Sequence, residues 1–64
     1  MNTINYGASE PPRHTRWEGA DGCEWAWDGD LGDWNNFTAG GEYVSRHRWR
    51  VIHPDNFPMT EVTR

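Results

Sequence analysis

The stretch DGCEWAWDGDLGDW, Asp21 to Trp34, decides how this chain is read. From Cys23 to Asp28 it alternates: Cys23, Trp25 and Trp27 occupy one set of positions, Glu24, Ala26 and Asp28 the other. A period of two places the two sets on opposite faces of a β-strand. Asp21-Gly22 just before it is a hairpin-turn signal, and RHTRWE lies on the other side of that turn. The spacing predicts a hairpin of residues 13–19 and 23–28, with the tryptophans on its buried face.

C-terminal to this hairpin the alternation breaks. In GDLGDWNNFTAGG, Asp33 can N-cap a short helix over 34–39, with Gly40 just past its end. Gly32 and the pair Asn35-Asn36 fit an ordered loop equally well. Next comes EYVSRHRWRVIH, the strongest strand pattern in the chain. Tyr43, Ser45, His47, Trp49 and Val51 share one face, and Val44, Arg46, Arg48, Arg50 and Ile52 the other. A helix would spread the three arginines around its circumference, and Tyr, Val, Trp and Ile favour a strand. Pro54 stops it, and MTEVTR has the composition of a short final edge strand. On the N-terminal side, SEPP favours a stiff extended segment, with a weak strand signal at residues 3–6.

These elements make a mainly β fold, or a small α+β one if the short helix forms. The expected architecture is a three- to four-stranded antiparallel sheet with an aromatic core. It divides into an extended N-terminal arm, residues 1–12, and a single small β-rich domain, residues 13–64. The expected core is Trp17, Cys23, Trp25, Trp27, Tyr43, Trp49 and Val51, with Trp34 or Phe37 folded over one end.

Composition says why the core should be aromatic. The chain has 64 residues, enough for one domain at most, and a domain this small is marginal without extra support. A single cysteine excludes an internal disulfide framework and fits a reducing compartment. Aliphatic residues are few, whereas five Trp, two Tyr and two Phe offer large apolar area. No apolar run approaches a membrane span, and the N-terminal stretch lacks the apolar segment of a signal peptide. The expectation is a cytoplasmic protein with no membrane association.

The net charge is −4, unevenly spread. Residues 1–42 carry eight carboxylates and two Arg; residues 43–64 carry two carboxylates and four Arg. Net negative charge disfavours general nucleic-acid binding, which depends on neutralising phosphates. In the acidic series, Glu24 and Asp28 share the strand face opposite the tryptophans. Alternate strand residues stand roughly 6.6 Å apart, close to the run of phosphates along a nucleic-acid strand. Against a mimic stands ordinary pairing: if 23–28 pairs with 42–53, Glu24 and Asp28 face Arg46, Arg48 and Arg50, at roughly 0.2–1 kcal/mol per pair. Asp30 and Asp33 lie beyond the strand and have no such partner.

Other chemistries fit less well. DGDLGD lacks the ligand spacing of a calcium loop. His14, Cys23, His47 and His53 are zinc-ligand types without short two-ligand spacing. Cys23 with His47 is the one conceivable nucleophile–base pair, with no oxyanion-hole signal. An Arg46–Arg48–Arg50 nucleic-acid surface would have Trp49 on the opposite strand face, where it cannot stack on bases beside them. No catalytic residue, metal or cofactor is therefore expected.

In size, in its acidic β-rich body (CEWAWDGDLGD) and in having no enzymatic or targeting motif, the chain resembles the small proteins that phages deploy against host machinery, among them the anti-CRISPR inhibitors. That resemblance implies stoichiometric binding to a host protein or protein–nucleic-acid complex, such as a CRISPR surveillance complex, where nucleic acid would otherwise sit. The residues themselves nominate Glu24, Asp28, Asp30 and Asp33 for charge complementarity and Trp34 for apolar contact. Two other classes remain: a structural or accessory subunit of a larger phage assembly, and an Arg-mediated nucleic-acid-binding module, with direct nucleic-acid binding the less favoured.

Overall fold

The computed structural model describes residues 2–63. Six strands make one sheet: β1 (Thr3–Ile4), β2 (Arg16–Glu18), β3 (Glu24–Asp28), β4 (Asp33–Phe37), β5 (Tyr43–His47) and β6 (Met59–Val62). Their order is β1-β6-β2-β3-β4-β5, and every pairing is antiparallel. β2 to β5 form a meander. The chain then crosses the core face through two 3-10 turns, Trp49–Val51 and Pro54–Asn56, and returns as β6 between β1 and β2.

The hairpin at 13–28 forms in the expected phase. Trp17 lies opposite Trp25, and Arg16 and Glu18 lie opposite Ala26 and Glu24. Its turn is longer than a two-residue loop: Gly22 N–H donates to Gly19 O and Gly19 N–H to Cys23 O. Gly22 supplies the left-handed backbone the turn needs, with φ +87°.

Four expectations are corrected. The sheet has six strands, because both short terminal segments and Asp33–Phe37 join it. Residues 34–39 are not a helix: Asp33–Phe37 is a strand whose burial alternates. Two asparagines and two aromatics in five residues are poor helix formers, and the strand covers the edge β3 would otherwise expose. Within MTEVTR, Met59–Val62 is an inner strand and not an edge, with Met59 fully buried. The pattern at 42–53 is a strand only to His47, and it is irregular at its start. Phe37 pairs with Tyr43 but Asn36 with Ser45, so Val44 is an extra residue. This bulge moves Tyr43 off the face of Ser45 and His47 and onto that of Phe37, whose ring it meets edge-on at 6.1 Å.

The core accordingly differs from the expected set. It consists of Trp17, Trp25, Trp34, Ile52 and Met59, flanked by Ile4, Trp27, Trp49 and Phe57. Tyr43 is 57% exposed and Val51 63% exposed, and Cys23 is half-buried. The 3-10 turn is the reason for Val51 and Ile52: it exchanges the faces that strand alternation would assign them. Aromatic rings form one continuous path, Trp27–Trp34–Trp49–Phe57–Tyr6, with centroids 5.5–5.8 Å apart. Edge-to-face and tilted contacts of this kind add roughly 0.5–1.5 kcal/mol each beyond burial.

Residues 2–12 are tied to this body. β1 pairs with β6, and Ala8 O accepts from the Trp49 indole at 3.0 Å. Glu10 Oε2 accepts from the Trp34 indole at 2.9 Å, and Pro11 is buried.

Candidate functional site

The acidic residues singled out in the sequence meet different fates. Glu24 is 9% exposed and faces Arg16 Nη2 at 3.4 Å, beneath a cleft also lined by Phe37 and the β4–β5 turn. Its partner is on β2 because β2, and not 42–53, is the neighbouring strand. Asp33 reaches Arg46 Nε at 3.5 Å across the β4–β5 pair. Asp28 closes the β3–β4 turn. Its Oδ1 accepts from the backbone N–H of Asp30 (3.0 Å) and Leu31 (3.2 Å), and its Oδ2 from Asn35 Nδ2 (3.1 Å). The Asn35 bond, then the Leu31 and Asp30 amides and the Arg46 charge, hold the Asp28 carboxyl below its ordinary value despite some desolvation.

Trp34 is 0% exposed and is not offered to a partner; it is the centre of the core. Of the five nominated residues only Asp30 is exposed and, among the described residues, has no side-chain partner. An unbroken row of free carboxylates along β3 and its turn is therefore absent: three of the four serve the fold.

The nucleophile–base pair is not assembled either. Cys23 precedes Glu24 at one end of β3, whereas His47 is in register with Trp34, itself opposite Trp27, near the other end. Four residue steps along the strand separate these levels by roughly 13 Å. The Cys23 thiol is pushed up by burial and by the neighbouring Asp21 carboxylate, so it stays protonated at neutral pH. The His47 ring instead lies 5.7 Å from that of Trp25, tilted by 54°, and bonds to Ser45 Oγ at 3.0 Å. Among the described residues no group of three or more His, Cys, Asp or Glu is placed to hold a metal ion. Nor is any helix among them long and apolar enough to cross a membrane.

The arrangement the sequence reading missed lies at the end of the sheet carrying the β3–β4 turn. An open groove of about 400 Å³ is lined by Glu10, Arg13, Trp27, Gly32, Arg48, Trp49, Arg50 and Val51. Strand alternation had placed Trp49 opposite Arg48 and Arg50. The chain leaves the sheet after His47, and the 3-10 turn brings all three to one groove. The Arg13 guanidinium lies 4.0 Å above the Trp27 ring and is paired to Glu10 Oε2 at 3.1 Å. Arg13, Arg16 and Arg46 each have a carboxylate. Arg48 and Arg50 have none among the described residues, and their side chains make no hydrogen bond there. The available signal was the triplet Arg48-Trp49-Arg50, readable only once the strand is known to end before it.

Comparison with known protein families, curated proteins and solved structures finds no match to this chain. Its class is thus defined by its own geometry: among the described residues, a six-stranded antiparallel β protein with a Trp-rich aromatic core and open surface grooves.

Proposed function

We propose that the protein is a non-enzymatic inhibitor of the anti-CRISPR kind, which binds a host protein or protein–nucleic-acid complex stoichiometrically in the host cytoplasm. Contact is made through the β3–β4 turn, with Asp30 and Leu31 at its tip. One observation carries this reading: Leu31 is 53% exposed on a turn that is fully organised without it. Asp28 binds the Asp30 and Leu31 amides, and Gly32 N–H donates to Asp28 O at 2.8 Å. Gly32 holds φ +74°, which an L side chain rarely adopts. A rigid loop that holds an apolar side chain in water loses little freedom on binding. Asp30 beside it supplies charge that steers encounter with a basic surface, while Leu31 supplies contact area.

The alternative of a subunit in a larger phage assembly called for Trp faces exposed to neighbours. Burial of Trp17, Trp25 and Trp34 weighs against it. The test is inhibition of target-DNA binding by a purified CRISPR surveillance complex, measured by gel shift with wild type, Leu31→Asp and Asp30→Lys. Inhibition by wild type at one-to-one stoichiometry, lost in Leu31→Asp and weakened in Asp30→Lys, supports the reading. No inhibition removes that partner, and equal inhibition by all three proteins removes the turn as the contact.

A further inference from the structure

From the groove between the 48–51 segment and the end of β3, we infer a nucleotide-binding site, with the phosphate held by Arg48 and Arg50 and the base laid against the Trp49 ring. The proposal is independent of the turn contact above, because it rests on different residues.

Charge comes first. The chain has ten carboxylates and six basic residues, so every arginine has acidic side chains to spare. Among the described residues Arg13, Arg16 and Arg46 take one. Arg48 and Arg50, which do not, are two residues apart and line the same groove. The carboxylate nearest to hand, Glu10, already accepts from Arg13 and from the Trp34 indole on one oxygen. Its charge is thus matched within the fold, and the groove keeps the positive charge of Arg48 and Arg50. Guanidinium groups bind phosphate oxygens through paired N–H donors, and an anion there would satisfy donors that the protein leaves to water.

The second requirement is flat π surface. Trp27 and Trp49 are half-buried groove walls fixed by contacts with other rings; the Arg13 guanidinium covers the Trp27 ring at 4.0 Å, which leaves Trp49 as the stacking surface. Trp27 meets Trp34 edge-on, Trp49 meets Trp34 and Phe57, and the Trp49 indole N–H is held by Ala8 O. Walls that do not have to be ordered on binding suit stacking, which contributes roughly 1–3 kcal/mol per base in single-strand-binding proteins. A ligand matching both features carries phosphate and an aromatic base. The groove volume lies near the low end of small-molecule sites, which run from about 300 to 1,000 Å³. That is room for one nucleotide, not for a duplex. Among the described residues only two cations are free, and the net charge is −4, so the site does not fit a long phosphate track. A free mononucleotide and the terminal nucleotide of a single strand present the same chemistry here.

The experiment titrates the full chain at low ionic strength with adenosine monophosphate, a 5′-phosphorylated DNA pentamer and an acidic (Glu)5 peptide. Quenching of tryptophan fluorescence and calorimetry give the affinities. Binding of the mononucleotide, the pentamer or both, weakened at least tenfold in Arg48→Gln/Arg50→Gln and unchanged in Arg46→Gln, supports the site. The stronger of the two probes identifies the source of the nucleotide. Both arginines are exposed, so the double variant keeps its fold, which circular dichroism checks. Absence of binding by both nucleotide probes overturns the proposal. So does equal binding by the double variant, or a (Glu)5 affinity matching that of the nucleotides.

Discussion

The indole N–H of Trp34, the most deeply buried tryptophan, donates to Glu10 Oε2 at 2.9 Å, and the same oxygen accepts from Arg13 Nε at 3.1 Å. One carboxylate of a polar N-terminal segment thus serves the centre of the core. Without Glu10 the Trp34 donor loses its acceptor inside the protein. A buried donor left unsatisfied costs about 1–3 kcal/mol. Glu10→Ala should therefore lower unfolding free energy by that amount, read from urea melts. Glu10→Gln, which keeps an amide oxygen for the indole, should recover part of it. A loss below about 0.5 kcal/mol, the ordinary scatter of surface substitutions, would show that the bond does not matter.

The same contacts set a pH dependence. The bond from Arg13, then that from Trp34 and the Arg13 charge, hold the Glu10 carboxyl below its ordinary 4.5, against some desolvation. Asp28 is likewise held below its ordinary 3.8, chiefly by Asn35. Depressed folded-state values mean that the unfolded chain takes up protons first as pH falls. The stabilisation is complete above the ordinary carboxylate range and is lost as pH drops through the lower folded values. Urea midpoints should be flat from pH 7 to about 5 and decline below about 4.5, the onset following from that proton linkage. In Glu10→Gln the decline should be shallower. A slope unchanged by this substitution would assign the acid sensitivity to other groups.

Glu24 and Asp30 looked alike in the sequence, and the fold separates them. Glu24 is buried against Arg16 and lies opposite Glu18, whereas Asp30 is on an exposed turn without a side-chain partner among the described residues. Glu24→Lys would bury a cation beside a guanidinium. Leaving a charge uncompensated in this way costs about 3–5 kcal/mol, a large share of a small domain's stability. Asp30→Lys should change stability by less than about 0.5 kcal/mol. Thermal melts of the two variants give the comparison, and equal melting temperatures would contradict the burial of Glu24.

What could be read in advance followed from local period. The alternation in Cys23–Asp28 put Trp25 on the buried face and Glu24 opposite it, and the register of Trp17 with Trp25 agrees. The partner of each strand was not legible, because a period of two is silent about which strand lies alongside. Glu24 was therefore assigned to the wrong arginines, and β4 went unrecognised although Trp34 and Asn36 alternate within it. Two local irregularities hid the rest. The extra Val44 reversed the face of Tyr43, and the 3-10 turn at Trp49 carried Arg48, Trp49 and Arg50 into one groove. Neither a bulge nor a single 3-10 turn has a composition that sets it apart from the continuation of a strand. The candidate groove depends on both the turn and the long-range return of residues 8–13, so it becomes visible only in three dimensions.

The core tryptophans differ in how their N–H groups are satisfied, which ranks a substitution series. Trp34 Nε1 donates to Glu10, Trp17 Nε1 donates to Thr15 Oγ1 at 2.8 Å, and the buried Trp25 Nε1 has no acceptor among the described residues. Trp→Phe removes similar volume at all three sites, so the cavity cost, increasing with the space left behind, is similar too. The difference isolates the N–H. At Trp34 and Trp17 the change breaks a bond made by an otherwise buried side chain, worth about 0.5–1.5 kcal/mol, or more where the acceptor is charged. At Trp25 it removes a donor whose burial was unpaid, and that gain offsets part of the lost packing. Urea denaturation should therefore rank destabilisation as Trp34→Phe largest, Trp17→Phe next and Trp25→Phe smallest. The reverse order would mean that the Trp25 indole makes a stronger bond in solution than its two neighbours do.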